Sequence, residues 1–355
     1  MRRALLLATL ATALAGTARA GVPGPELPGT RPLGMGDAFL AVADDRNALY
    51  YNPAGLARLR GVHVSALGAR AAVDDELRDV LDFVRSHEEQ FSDFDAVDDA
   101  FLEELTAYDD RWVAADASAY VDLTRRSFGA GAFGTARVQV KADRGVYEPR
   151  VYENAVSDLV GIVGGAMPLG RFDLTVGADA KAIWRRQSRR VITAREAADF
   201  DFQQIADDLE GAEPGFSMDF GTLWAPGDGT WSAAGVVRDG WGWIGGERID
   251  SAVDVGGAWS PIRRTSAFLR GVVVAADLTD LDEGGPFGKR VCLGAEARLP
   301  LFAVRAGAHQ GYGTVGASFA VPGLRVDYAY WGRELGELPG AEGQYLHSLE
   351  LRLGW

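Results

Sequence analysis

Residues 323–331 contain the run Leu324-Arg325-Val326-Asp327-Tyr328-Ala329-Tyr330, and its alternation decides the fold class. Leu324, Val326, Tyr328 and Tyr330 share one face, while Arg325, Asp327 and Ala329 share the other. A side-chain period of two belongs to a strand with one apolar and one polar face. The pattern recurs upstream in 289–299, where Val291, Leu293, Ala295 and Ala297 oppose Cys292, Gly294, Glu296 and Arg298. It recurs downstream, where Leu349, Leu351, Leu353 and Trp355 oppose Ser348, Glu350 and Arg352.

Extended along the chain, this reading predicts fourteen strands: 61–72, 112–124, 127–141, 157–168, 171–187, 215–225, 230–238, 251–260, 264–276, 289–299, 301–309, 312–320, 323–331 and 345–354. Alternation is least regular in 61–72. The connections sort into two classes. Those after the even strands are short turns, such as 124–127, 168–171, 226–230 and 320–323. Most of the others are long: 73–111, 142–156, 188–214, 239–250, 277–288 and 332–344. Short turns at one rim and long loops at the other are the mark of an antiparallel transmembrane barrel. A soluble sandwich has no reason to sort its loops this way.

Tryptophan follows the same sorting. Trp224, Trp231, Trp259 and Trp355 fall at or near short-turn ends, and Trp112, Trp184, Trp241, Trp243 and Trp331 at or near long-loop ends. An indole has an apolar body and one N–H donor, so it favours the two interfaces of a bilayer. The polar strand faces then line a lumen. Ring closure also leaves no strand edge unpaired in lipid. Arg325 and Asp327, with Glu350 and Arg352 on the next strand, are expected to place opposite charges side by side and hold the barrel closed.

The first sixty residues divide in two. Arg2 and Arg3, the apolar run from Ala4 to Leu14, and Ala18-Arg19-Ala20 read as an export signal over 1–20, cleaved after Ala20. Residues 31–60, within an N-terminal unit of 21–60, are apolar and rich in glycine, yet too broken for one helix or one strand. Gly34, Gly36 and Gly55 loosen the backbone, Pro53 stops a helix, and Asp44, Asp45 and Asn52 are turn-formers. Such a segment needs a container, and the barrel of 61–355 supplies one.

Composition agrees. The chain has 355 residues, and its 47% hydrophobic content suffices for one barrel of this length. No apolar run approaches the ~18 residues of a membrane helix. A net charge of −14 argues against nucleic acid as a partner, and the single Cys292 excludes an internal disulfide and a multi-cysteine metal site. Two long loops are expected to be helical. In 73–111, Leu77, Val80, Leu81, Val84 and Phe91, then Val97, Phe101, Leu105 and Tyr108, recur at helical spacing. In 193–212, Thr193 and Glu196 form a capping box ahead of Phe200, Phe202, Ile205 and Leu209. Segment 73–111 carries fifteen carboxylates against three arginines, most of the net charge of the chain. It is either a solvated face or a site for divalent cations or a basic partner.

Catalytic patterns fail on context. Gly129-x-Gly131-x-x-Gly134 lies within a strand and precedes no helix, so it has no helix N-terminus for a pyrophosphate. His87-Glu88 lacks a second histidine at helical spacing, and no nucleophile-elbow motif occurs. No catalytic residue, cofactor or metal is expected.

Gly34-Met35-Gly36-Asp37-Ala38-Phe39, Ala43-Asp44-Asp45 and Asn52-Pro53-Ala54-Gly55-Leu56 resemble the N-terminal hatch of the FadL/PorV-like outer-membrane barrels. In the C-terminal third, Asp277-Leu278-Thr279-Asp280, the runs Arg305 to Tyr312 and Leu324 to Tyr330, and Glu334-Leu335-Gly336 resemble the strands of PorV-like and related barrels. The resemblance implies an all-β, 14-stranded antiparallel transmembrane β-barrel with a lumenal hatch and helical extracellular loop insertions. It implies a bacterial outer-membrane location, with outer-membrane lipid and the assembly machinery as partners, the latter reading Leu351, Leu353 and Trp355. Gly34, Gly36, Asp44, Asp45, Asn52, Pro53 and Ala54 would shape and gate the hatch. Phe39, Leu40, Tyr50 and Tyr51 would line a ligand pocket, and Gly129, Gly131 and Gly134 would weaken the wall at a lateral opening. Two functions follow: uptake of a hydrophobic small molecule, or handling of a secreted cargo protein at the cell surface.

Overall fold

The computed structural model describes residues 21–87, 90, 98–108, 111–143, 150–193, 211–262, 268–282 and 284–354. Among these, fourteen long strands form one closed antiparallel barrel. They are β1 (Val62–Asp74), β2 (Trp112–Arg125), β3 (Phe128–Asp143), β4 (Arg150–Leu169), β5 (Leu174–Thr193), β6 (Glu213–Trp224) and β7 (Trp231–Ile244). The ring continues through β8 (Ala252–Ile262), β9 (Gly271–Leu278), β10 (Val291–Arg298), β11 (Phe302–His309), β12 (Tyr312–Val321), β13 (Leu324–Glu334) and β14 (Gly343–Gly354). Each strand pairs with its neighbours in sequence. The ring shuts where β1 pairs with β14, from Ser65 opposite Gly354 to Asp74 opposite Leu346. A two-residue strand, Glu247–Arg248, only extends β7.

The distribution of side chains is inside-out. Leu67, Leu123, Leu159, Val163, Leu293, Val304, Leu349, Leu351 and Leu353 are exposed on the outer face. Arg70, Asp122, Asp158, Lys181, Asp219, Glu296, Arg305, Asp327 and Glu350 are buried in the interior. Water outside would make this arrangement costly twice over. Lipid outside makes both halves favourable. The irregular alternation of 61–72 has a local cause: a register shift between Ser65 and Gly68. At Gly68 the ring of Tyr120 covers the backbone, and a Cβ there would lie 1.9 Å from Tyr120 Cζ.

The wall is uneven in height. β4 and β5 have 20 residues each, whereas β9, β10 and β11 have 8 each. Arg185 pairs with Glu213, the first residue of β6, so residues 186–193 rise past β6 on the long-loop side. This also explains Trp184, which is mid-strand in β5 but level with the rim of β6.

Several expectations need correction. Trp331 does not belong to an outer belt. It shares strand parity with Asp327 and Ala329, faces inward at 5% exposure, and donates its indole N–H to Ser348 Oγ at 2.9 Å. Trp184, Trp224, Trp231, Trp241, Trp243 and Trp259 do face outward, and Trp231 stacks on Trp259. β4 begins at Arg150 rather than 157. β9 begins at Gly271 rather than 264, and residues 263–267 lie outside the described part. Thr193 is the last residue of β5, since cross-strand pairing with Arg150 carries the strand that far. Of the helix expected over 193–212, residues 194–210 lie outside the described residues, as do 1–20 and Trp355.

Among the described residues, the acidic insert holds the helices Leu77–Ser86 and Asp99–Leu105. Phe83, Phe101 and Leu105 bury one another, and Tyr108 closes the cluster with its ring 4.7 Å from Phe83. The predicted stripe passed over Phe83, which is the residue that joins the two helices.

Candidate functional site: the hatch and its seat

Residues 21–60 occupy the lumen. The segment starts on the long-loop side, where the Gly21 N–H donates to Asp250 Oδ1 at 2.7 Å and Val22 pairs with Ile249. It crosses the bore as Arg185 donates to the Pro23 carbonyl at 2.6 Å and Arg70 and Arg137 hold Glu26. It then descends through two short helices, Thr30–Leu33 and Ala48–Tyr51, to a 3-10 turn, Pro53–Arg58, at the short-turn rim.

Two arginines of the hatch do most of the fastening. Arg31 forms a bidentate pair with Glu296 of β10, at 2.8 and 2.7 Å. It also reaches Asp44 at 2.8 Å and Asp45 at 2.7 Å. Arg298 closes the group by bridging Glu296 and Asp44, and Arg305 joins Glu296 to Asp327. Arg46 donates to Asp122 of β2 at 2.6 Å and lies 3.7 Å from Glu350. Its guanidinium stacks 3.8 Å above the ring of Tyr120, whose hydroxyl donates to Glu350. Planar guanidinium groups suit this role because they serve two carboxylates and an aromatic face at once.

The barrel-closure expectation is therefore wrong in its partners. Register sets Asp327 opposite Glu350 and Arg325 opposite Arg352, like facing like. Asp327 is neutralised along its own strand by Arg325 at 2.5 Å, and Glu350 receives the Thr30 N–H and Arg46 of the hatch. Asp327 is thus answered within the wall, whereas Glu350 draws on the hatch as well as on Tyr120.

Burial is the largest influence on the carboxyls of Asp44 and Asp45 and would raise both, but Arg31 acting with Arg298 at Asp44, and with Arg325 and Arg352 at Asp45, together holds them below the ordinary carboxylate value. A depressed folded value stabilises the seated hatch above the ordinary pKa of ~3.9 and loses that contribution as pH falls through the lowered values. Protease nicking within 31–60 is expected to stay flat from neutral pH to about 4 and to rise only below it. A rise between pH 5 and 7 would contradict this assignment.

The backbone of the hatch is anchored as well. Asp277 Oδ2 accepts the N–H groups of Phe39 at 2.7 Å and Leu40 at 2.9 Å. Asn52 donates to the carbonyls of Leu40 and Thr222 and accepts from Ala54 N–H at 3.1 Å. Gly36, at φ +60°, lies so close to β10 that a Cβ would be 2.4 Å from the Leu293 carbonyl oxygen. Pro53 and Ala54 rest on Gly177 of β5, where a Cβ would lie 2.3 Å from Ala54 N. Gly34 touches Gly316 of β12 in the same manner. Glycines in the wall thus mark the seat of the hatch.

The residues expected to meet a ligand are packed away. Phe39, Leu40, Tyr50 and Tyr51 are at most 6% exposed. Phe39 meets Tyr51 edge-on, and Tyr50 meets Phe133 edge-on while its hydroxyl donates to Asp122. The three glycines of β3 separate. Gly129 and Gly131 face the lumen, Gly129 beneath Leu49 of the hatch, while Gly134 lies on the outer face in open space. β3 is paired without a break to β2 and β4. Leu351 and Leu353 face outward near the end of β14.

A cavity of about 990 Å³ opens beneath the hatch at the short-turn rim. Hatch residues Ala41, Val42 and Leu59 line it, along with Arg126, Arg270 and Arg298 of the barrel. Phe39, Leu40, Tyr50 and Tyr51 do not reach it. Sequence reasoning missed Arg31, Arg46 and Asp277. Arg31 and Arg46, two of the four arginines in a largely apolar segment bound for a lumen of carboxylates, were the available signal.

No protein-family model and no curated protein matches the chain. Solved structures do. The toluene transporter TodX of Pseudomonas putida shares 13% identity, with 94% of this chain and 99% of that one aligned at a TM-score of 0.53. The toluene transporter TbuX of Ralstonia pickettii shares 13% identity over 93% and 98%, at 0.51. The monoaromatic hydrocarbon channel CymD shares 12% over 92% and 97%, at 0.50. At such identities the likeness is one of fold, and it extends along nearly the whole of each chain.

Proposed function

We propose that the chain is an outer-membrane channel for the uptake of small hydrophobic compounds, with residues 31–60 as its gate. One observation carries the reading. A separate segment closes the bore through discrete charged and glycine contacts, in a barrel fold shared with hydrocarbon channels along nearly its full length. Gly34, Gly36, Asp44, Asp45, Asn52, Pro53 and Ala54 are the contact points at which the gate seats. Phe39, Leu40, Tyr50 and Tyr51 meet a compound once the hatch shifts. Lateral release would pass the wall at β3, where Gly129, Gly131 and Gly134 leave the strand without side-chain bulk. The end of β14, with Leu351 and Leu353, serves recognition by the assembly machinery. No specific observation favours the handling of a secreted protein.

The test is uptake of labelled toluene by cells that lack other hydrocarbon channels and express this chain. Uptake is expected to exceed that of cells carrying the empty vector, and Tyr50→Asp with Tyr51→Asp is expected to return it to background. Uptake no greater than the vector control, with folded barrel in the outer membrane, would overturn the reading.

A further inference from the structure

We propose that the cavity beneath the hatch is a binding site for a phosphate group, independent of the hydrophobic route through the lumen. Five arginines line it: Arg58, Arg60, Arg126, Arg270 and Arg298. Two of them are engaged. Arg58 donates to the carbonyls of Ala41 and Val42 at 2.8 and 2.9 Å, and Arg298 is held by Glu296 and Asp44. Arg60, Arg126 and Arg270 have no side-chain hydrogen bond or ion pair among the described residues, and all three are exposed to the opening.

The carboxylates of the cavity do not answer this charge. Asp44 is already shared by Arg31 and Arg298. Asp228 accepts from Thr230 N–H at 2.9 Å and from its hydroxyl at 2.7 Å, and no ion pair joins it to Arg60, Arg126 or Arg270 among the described residues. Three cations from three separate elements therefore face one space. They come from the end of the hatch, the β2–β3 turn and the start of β9. Arginines that share one cavity suit an oxyanion that accepts several hydrogen bonds, and a dianion answers their summed charge better than a lone carboxylate does. The volume of about 990 Å³ admits a phosphate ester with its substituent, and the floor of Ala41, Val42 and Leu59 offers that substituent an apolar surface.

The phosphate has two possible sources: a phospholipid headgroup at the rim, or a soluble phosphate. The experiment uses the purified full-length barrel in maltoside detergent. Native mass spectrometry reads phosphatidylglycerol against a phosphate-free glycolipid, and calorimetry reads inorganic phosphate. One saturable site for either probe is expected, weakened at least tenfold in Arg60→Gln/Arg126→Gln/Arg270→Gln. Binding of phosphatidylglycerol alone assigns the lipid source. Binding of inorganic phosphate that displaces the lipid assigns the soluble one. Absence of binding by both probes, or equal binding by the variant, overturns the proposal. The gel shift of unheated barrel confirms that the variant is folded, and the three single variants decide the matter should the triple variant misfold. Toluene uptake plays no part in the readout, so this proposal fails or stands apart from the channel assignment.

Discussion

Arg31→Ala is expected to unseat the hatch while leaving the barrel assembled. The guanidinium is 6% exposed and serves Glu296, Asp44 and Asp45 together. Removing it leaves three carboxylates around Arg298 and Arg305, in a lumen that hydrates them poorly. Breaking a buried pair by deleting one partner costs about 3–5 kcal/mol. That corresponds to a rise of roughly a hundred- to five-thousand-fold in the released population of the hatch. The released form is read as protease cleavage within 31–60 and as a raised single-channel conductance in planar bilayers. Arg31→Lys is expected to fall between, because an ammonium keeps the charge but not the bidentate fork. The barrel gives the control. Its strands pair along their whole length without help from Arg31, so the heat-dependent gel shift should persist. Unchanged cleavage and conductance in Arg31→Ala would show that the hatch is held by something other than this network.

Gly177→Val is the second large effect, and it works by volume rather than charge. The wall at β5 gives Pro53 and Ala54 no room for a side chain, since a Cβ would come within 2.3 Å of Ala54 N and 2.5 Å of Pro53 C. Both obstacles are backbone atoms, so no rotamer change relieves them. Overpacking costs about 1–3 kcal/mol where neighbours can shift. Here the movable neighbour is the hatch turn itself. The expected outcome is displacement of Asn52-Pro53-Ala54 from the short-turn rim, with increased conductance and faster cleavage near Ala54. Gly134→Val is the matched control. Its Cβ would face open space on the outer side, where only the Asp158 carbonyl oxygen lies within 4 Å, at 3.8 Å. Equal conductance in the two variants would show that the glycine seat plays no part in closure.

The strands were legible because alternation of two and sorted loop lengths are local signals. The run at 324–330 reads correctly residue by residue, with Arg325 and Asp327 inward and Tyr328 outward. The errors arose where register, a non-local property, decided the outcome. Trp331 is the exception: its parity with Asp327 is a local signal, and it turns the indole inward despite its place beside a long loop. The charges of β13 and β14 were expected to complement one another, but register sets like opposite like. The hatch was visible as a broken apolar segment, and its glycines were visible as hinges. Their partners were not, because Gly177 and Gly316 lie more than a hundred residues away and carry no local mark. Arg31 and Arg46 were overlooked for the same reason: a buried arginine is intelligible only beside Glu296 and Asp122.

The central claim, that a movable hatch gates hydrophobic uptake, is tested most directly by locking it. Asp44 and Arg298 meet across the boundary between hatch and barrel at 2.7 Å, and both lie beside the open cavity. In a Cys292→Ala background, Asp44→Cys and Arg298→Cys are joined by a short reducible crosslinker, and uptake of labelled toluene is measured before and after reduction. A gating hatch requires that uptake fall to background when it is locked and recover on reduction. Uptake that continues undiminished through the locked barrel would contradict it.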